Sequence, residues 1–421
     1  MTTIEIRNIG PIKEVPEITL NSVNVFMGPQ SSGKSTIAKI ISYCTWVEKD
    51  VATGQPLSYY EEKGRFKKLL ESFHKIKDYF RADSYIRYTS DTVEIVWENG
   101  VCRLQWVDRF AYRRSKIAYI PSERNMVILP EARRVEFGNT NVRSFLFDWF
   151  TAREKCSGLP ILNLGVSYYL STKEEDHIRG NEGDSIYNIL LSNASSGLQS
   201  LAPLLVMIEY LTKWVYEGET FSFEQGMRLK KTAEILIPEI VLGRRPNIPK
   251  FFSSQDEIDL FIKKLFNKRK QDDPDVIKFY DEFSRYIKFL LETHNTQFII
   301  EEPEMNLFPE TQRDLVYHLL NKCLEKEGNR LTITTHSPYI LYALNNCMMA
   351  GLVYYKMNEE SKGRLKCGTS KISPSDVSIY EIRESVVKRI QKEDGLIQDN
   401  YFDQQMGKLM DDFYLMLNYY P

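Results

Sequence analysis

The sequence is poor in the features that would place it in a membrane, at the cell surface or around a metal. Its six cysteines, Cys44, Cys102, Cys156, Cys323, Cys347 and Cys367, are scattered without a C-x-x-C pair. That argues against a zinc site or a disulfide framework and for reduced thiols. The five histidines are equally dispersed, so no metal-nuclease cluster stands out. No apolar run can span a bilayer, because the longest, Leu198 to Tyr216, is broken by Glu209 and Lys213. The opening Met-Thr-Thr-Ile-Glu-Ile-Arg lacks the basic, apolar and small-residue zones of a secretory signal. The expectation is a cytoplasmic chain with no membrane partner. Low-complexity runs are missing as well, and a composition of 43% hydrophobic and 27% charged residues is that of a folded protein, which excludes general disorder. A net charge of −2 gives no global pull toward nucleic acid.

What is present fits one large α/β core with insertions, or two domains, in 421 residues. Short strands at Thr3 to Arg7 and Glu17 to Leu20 flank the Gly10-Pro11 turn, and a third apolar run, Val23 to Met27, ends at Gly28. A helix from Ser35 to roughly Val47 would carry Ile37, Ile40 and Ile41 on one face. Residues 50–114 read as an insertion, with an amphipathic helix from Phe66 to Phe80 and a hairpin turning at Asn99-Gly100. Leu198, Leu201, Leu205, Ile208, Leu211 and Val215 recur at steps of three and four, which predicts a long helix with one core face. Residues 216–295 read as a mostly helical insertion, and within it Gly226 to Lys270 holds eleven Lys/Arg against five Asp/Glu. Gln297 to Ile300 and Leu331 to Thr335, joined by a helix from Glu310 to Leu324, form a β-α-β unit and hence parallel strands. Residues 346–421 are left as a C-terminal extension with an acidic tail.

Four stretches carry chemistry. Gly28-Pro29-Gln30-Ser31-Ser32-Gly33-Lys34-Ser35 fits G-x-x-x-x-G-K-[ST], between an apolar strand and a helix. Glycines let backbone N–H groups turn around phosphate oxygens, and the helix start at Lys34, Ser35 and Thr36 adds a favourable dipole. Lys34 would bridge the terminal phosphates and the Ser35 hydroxyl would ligate Mg²⁺. The strand Phe298-Ile299-Ile300 ends in Glu301 and Glu302. Glu301 is the candidate metal contact and Glu302 the candidate for polarising an attacking water. Ser195, Ser196 and Gly197 open the long helix; serine oxygens there cap helical N–H groups. The same helix start is an anion site able to meet the γ-phosphate held by a second copy. His336 lies just past the strand Leu331 to Thr335, either as a hydrogen-bonded structural residue or as a phosphate contact.

A phosphate loop, a serine-rich helix start, an acid pair and a strand-end histidine, in that order, resemble the head of ABC-type ATPases. The likeness is closer to the stand-alone group similar to overcoming-lysogenisation-defect (OLD) proteins, often placed among AAA-family ATPases, than to transporters. It is carried by Ile6 to Lys13, by Glu302-Pro303-Glu304-Met305-Asn306-Leu307-Phe308-Pro309 and by Thr335-His336-Ser337-Pro338. It covers the core strands from residue 3 to about 345 and implies an α/β fold: a single ABC-type P-loop NTPase head with a mixed central sheet, an N-terminal antiparallel layer and a helical insertion. It further implies ATP and Mg²⁺ as ligands, and a homo-dimer or higher even oligomer formed through the ATP site. Ser196 and Gly197 would be its signature residues and His336 its γ-phosphate switch. Glu123, as a metal contact, or its neighbour Arg124 would stand in the Q-loop position, although glutamine is absent there. Glu301 replaces the usual aspartate, which shifts the metal geometry by about one methylene.

OLD nucleases continue into a Toprim domain, whereas 85 residues follow His336 here, without a separated D-x-D pair and partner glutamate. Nuclease-like chemistry is therefore expected on a separate effector, in antiphage defence or genome maintenance. The alternative is a RecF-like DNA-binding repair ATPase with the basic Arg228 to Lys270 region as its nucleic-acid footprint. A chromosome-organising arm is disfavoured because residues 50–300 hold no sustained heptads.

Overall fold

The computed structural model describes residues 1–129, 138–180, 187–217, 292–397 and 399–420, with positions 277, 281, 285, 289 and 290. The expected helical, basic insertion at 216–295 thus lies almost wholly outside the described residues. Among the described residues no helix is long and apolar enough to cross a membrane.

The fold is mixed α/β. Strands β1 (Thr2–Ile9) and β2 (Ile12–Leu20) form a hairpin, and β3 (Val23–Met27) follows. Next come β4 (Phe80–Thr89), β5 (Val93–Glu98), β6 (Val101–Trp106) and β7 (Ser115–Ile120). A small antiparallel sheet holds β8 (Leu159–Pro160), β9 (Val166–Leu170), β10 (Asp176–Gly180) and β11 (Asn188–Leu190). The chain closes with β12 (Asn295–Glu301), β13 (Arg330–Thr335), β14 (Val377–Arg383) and β15 (Val386–Arg389). The main sheet has 11 strands in the order β6-β5-β4-β1-β2-β15-β14-β3-β13-β12-β7. Its β14-β3-β13-β12-β7 section is parallel, and β6-β5-β4-β1-β2 is antiparallel. This is the mixed sheet with an N-terminal antiparallel layer that the sequence led us to expect.

Helices α1 (Lys34–Ala52), α2 (Leu57–Glu61), α3 (Arg65–His74), α4 (Asn141–Lys155) and α5 (Ser196–Thr212) precede two later ones, Pro309–Cys323 and Pro338–Val353. All five residues of β3 are buried, as a central parallel strand covered on both faces requires. Val23, Val25 and Met27 join one apolar cluster with Trp149 of α4 and Leu204 of α5. Phe26 joins the other, with Ile37 and Ile41 of α1 and Ile4 and Ile6 of β1. The end of β3, from which the chain enters α1, is thereby packed on both faces of the sheet.

Three local readings change. The amphipathic helix stops at His74 rather than Phe80, because Lys75 (φ 54) and Asp78 (φ 65) turn left-handed and Phe80 already opens β4. The hairpin at Asn99-Gly100 forms with both residues at positive φ, as such a turn demands, but β4 pairs with β1, so it widens the main sheet instead of standing apart. The core strands do not end near residue 345: β14, from the stretch set aside as an extension, lies directly beside β3. Its turn into β15 puts Glu384 (φ 48) and Ser385 (φ 66) in the left-handed region without a glycine or asparagine to announce it.

Candidate active site

Parallel pairing places the C-terminal ends of β3, β13 and β12 side by side, so the residues that follow each strand share one end of the sheet. The glycine loop leaves β3, His336 follows β13, and the acids end β12.

In the loop, Gly33 takes φ 105 at the N-cap of α1, and a Cβ there would meet Ile12 Cγ1 at 2.7 Å. Only glycine satisfies both the left-handed backbone and the contact. No side chain caps α1, which leaves its first N–H groups open to an anion. Gln30 and Ser31 are exposed, Ser35 is half-buried, Thr36 is buried, and Ser32 Oγ is buried without a partner. The Lys34 ammonium is folded back on its own loop, donating to the carbonyls of Gly28 at 2.9 Å and Pro29 at 2.7 Å. Burial lowers its pKa to about 8, against the opposing pull of Glu302 and Glu304.

Glu301 is 4% exposed; its Oε2 accepts from Ser122 N at 3.4 Å, and its buried Oε1 has no hydrogen bond of normal geometry although the carboxylate lies close enough to the buried Tyr119 hydroxyl to raise that group's pKa. Glu302 sits at φ 43, a strained backbone for a non-glycine residue of the kind that gathers at functional sites. Its Oε1 lies 3.0 Å from His336 Nε2. The hydrogen bond to His336 holds its carboxyl below the ordinary range despite burial, so it is ionised at neutral pH. A carboxylate only accepts, which places the proton on His336 Nε2.

Sequence reasoning missed Glu304 as a site residue. Its Oε1 accepts from Thr335 Oγ1 at 2.7 Å and from the His336 amide at 2.6 Å, so it fixes the turn that presents the imidazole. Its Oε2 is buried without a partner, and burial raises its pKa. The signal was there as a third acid in Glu301-Glu302-Pro303-Glu304, with Pro303 turning the chain.

Glu123 and Arg124 part company. Glu123 is exposed and accepts from Ser122 Oγ at 3.2 Å, whereas Arg124 is 0% exposed, beneath the acids. At the other side, Ser195 caps α5 by accepting from Leu198 N at 3.5 Å, a weak bond by length. Ser195 and Ser196 are exposed, and Gly197 is so close to the chain after the acids that a Cβ would meet Asn306 O at 2.9 Å. Among the described residues no hydrogen bond joins Ser196 to the glycine loop of its own chain.

The donor set suits a magnesium–nucleotide pair. Among the described residues no group of three or more His, Cys, Asp or Glu could hold a metal alone. Mg²⁺ bound with phosphates needs only one or two protein oxygens, and the buried Glu301 carboxylate offers one at the same end of the sheet as the start of α1, where Ser35 lies.

No protein-family model matches the chain, and no curated protein matches it. Among solved structures it is similar to the SMC head domain from Thermotoga maritima, at 10% identity and a TM-score of 0.37, over 93% of this chain and 98% of that one. It is also similar to a dimeric bacterial ABC transporter cassette, at 12% identity and a TM-score of 0.29, over 92% and 97%. A third similar structure is the recombination mediator protein RecF-ATPrS of the RecFOR pathway, at 11% and 0.27, over 92% and 97%. About nine residues in ten differ in each case.

Proposed function

We propose that this chain binds and hydrolyses ATP as an ABC-type head whose two copies close on the nucleotide, and that it works as a conformational switch for a separate, nuclease-like effector. Within that class we assign it to the OLD-like group, acting in antiphage defence or genome maintenance. The observation that carries the reading is the Glu302–His336 pair, 3.0 Å apart at the ends of neighbouring parallel strands and coupled electrostatically to the buried Lys34 of a glycine loop.

On binding, Lys34 exchanges the carbonyls of Gly28 and Pro29 for β- and γ-phosphate oxygens. Ser35 and Glu301 would hold Mg²⁺, which would supply neutralisation of the phosphate charge. Glu302 is ionised but weakly basic, which suits it to aligning a water rather than keeping its proton. The water oxygen bonds to the γ-phosphorus as the bond to the bridging oxygen breaks; ADP leaves with the electron pair, and the water's proton departs with the phosphate. His336, freed from Glu302 once that carboxylate takes the water, donates from Nε2 to the charge that builds on the γ-phosphoryl oxygens. The start of a second copy's α5 supplies hydroxyls and N–H groups from the open side, so the γ-phosphate holds the pair together and its loss lets them part.

The test is the solution mass of Glu302→Gln. With ATP and Mg²⁺ it should double from the 49.3 kDa of one chain and return to it when nucleotide is removed. A mass that stays single would overturn the paired reading, and wild-type hydrolysis by this variant would overturn the role given to Glu302.

A further inference from the structure

Arg124 is the largest buried cation of the site, and none of the bonds it makes is to a carboxylate. Nε donates to Ser200 O at 3.1 Å, in the second turn of α5. Nη1 donates to Glu301 O at 2.9 Å and Pro121 O at 3.4 Å. Nη2 donates to Glu302 O at 2.9 Å and Pro303 O at 3.3 Å. One planar fork thus spans three segments: the turn after β7, the acid end of β12 and the start of α5. Because it takes carbonyls, the carboxylates of Glu301 and Glu302 stay available for other work. Two further contacts lock the same seam, from Asn306 Nδ2 to Ser200 Oγ at 3.2 Å and from the close approach of Gly197 to Asn306 O. Burying this charge is costly even with Glu304, Glu302 and Glu301 near enough to favour it, and a side chain chosen only for packing would carry none.

We infer that Arg124 is a positioning residue that makes the acid pair and the start of α5 move as one body, so that a subunit's hold on its partner's ATP is tied to the state of its own. This rests on the paired-head reading. In a two-fold pair each α5 start faces the other copy's phosphate, and each acid pair faces its own. A rigid link between them within one chain makes the two ATP sites report on each other, which appears as cooperativity in nucleotide concentration. Lysine at this position keeps the charge but replaces a fork that reaches three segments with a single point donor.

The experiment measures ATPase rate against ATP concentration for wild type, Arg124→Lys and Asn306→Ala, with the affinity for a fluorescent ATP analogue and the melting temperature of each. Wild type is expected to show a Hill coefficient above 1, toward its ceiling of about 2 for two sites. Arg124→Lys should bind the analogue within about threefold of wild type yet fall to a Hill coefficient near 1, with kcat down about tenfold or more. Asn306→Ala, a milder cut in the same seam, should lower the coefficient part of the way while staying folded. Retained cooperativity in Arg124→Lys, or a loss of analogue binding that tracks its melting temperature, would overturn the inference alone. A wild-type chain that stays single with ATP and shows a coefficient of 1 would remove the paired reading, and this inference with it.

Discussion

The glycine loop and the start of α5 are built from the same materials, serine and glycine at the N-terminus of a buried-faced helix, and they are finished in opposite ways. The loop's helix has an N-cap glycine and no side-chain cap, so its N–H groups stay open. Its cation is held inside by two carbonyls of the loop. The start of α5 is capped by its own Ser195, and its hydroxyls face solvent. On the reading proposed above, one half-site is complete within a single chain, with its lysine already desolvated. The other is anchored from beneath, through Arg124 and Asn306, and offers its polar groups outward. A helix start is an anion site in both cases; what differs is whether the chain supplies the rest of the binding shell itself.

The sharpest way to break that contrast is to empty the self-contained half. Lys34→Ala removes the ammonium and leaves Gly28 and Pro29 carbonyls unbonded, and ATP affinity measured by calorimetry should fall about 100-fold, or ~2.7 kcal/mol. Pairing should vanish with it, since nothing remains to be sandwiched. Should Lys34→Ala bind ATP as wild type does, the loop is not the nucleotide's primary hold. A charge at the outward half should separate the two functions. Ser196→Glu puts a carboxylate where a phosphate would arrive, on an exposed position that tolerates it in the single chain. Affinity of the isolated chain for ATP should stay within about threefold, while ATP-dependent pairing weakens about tenfold or more by like-charge repulsion. Light scattering across a concentration series would show it, and equal pairing by this variant would remove α5 from the interface.

How much of this was legible in the sequence follows the same division between local and long-range construction. The glycine loop and the acid pair each lie in one continuous stretch, because a phosphate cradle is made by successive backbone N–H groups and a strand end presents neighbouring side chains. Their spacing alone marked them as candidates. Arg124 stood out in the sequence only as an occupant of the Q-loop position; its bonding could not be read, since its partners come from residues 121, 200, 301, 302 and 303, and only the folded seam brings those carbonyls together. Glu304 was visible as an acid but not as the residue that orients His336, because that depends on the register of β12 against β13. Strands β14 and β15 escaped for a local reason: Glu384 and Ser385 adopt left-handed backbone where turn rules look for Asn-Gly.

The smallest expected effect probes the waiting lysine itself. In the nucleotide-free chain burial brings the Lys34 pKa down to about 8 from an ordinary 10.5. Phosphate oxygens beside Nζ favour the charged form, so the pKa in the complex is higher than in the free chain. Binding therefore takes up a proton whenever the free chain holds Lys34 neutral. Below pH 8 the ammonium is already formed and affinity should be flat; above it, affinity falls as pH rises, by about tenfold between pH 7 and pH 9 for one linked proton. Calorimetry in buffers of different ionisation enthalpy would register that proton directly. Lys34→Arg, charged throughout this range, should bind more weakly at pH 7 but lose the slope. A wild-type slope that persists in Lys34→Arg would assign the titration to another group and leave the lysine charged in its loop at every pH tested.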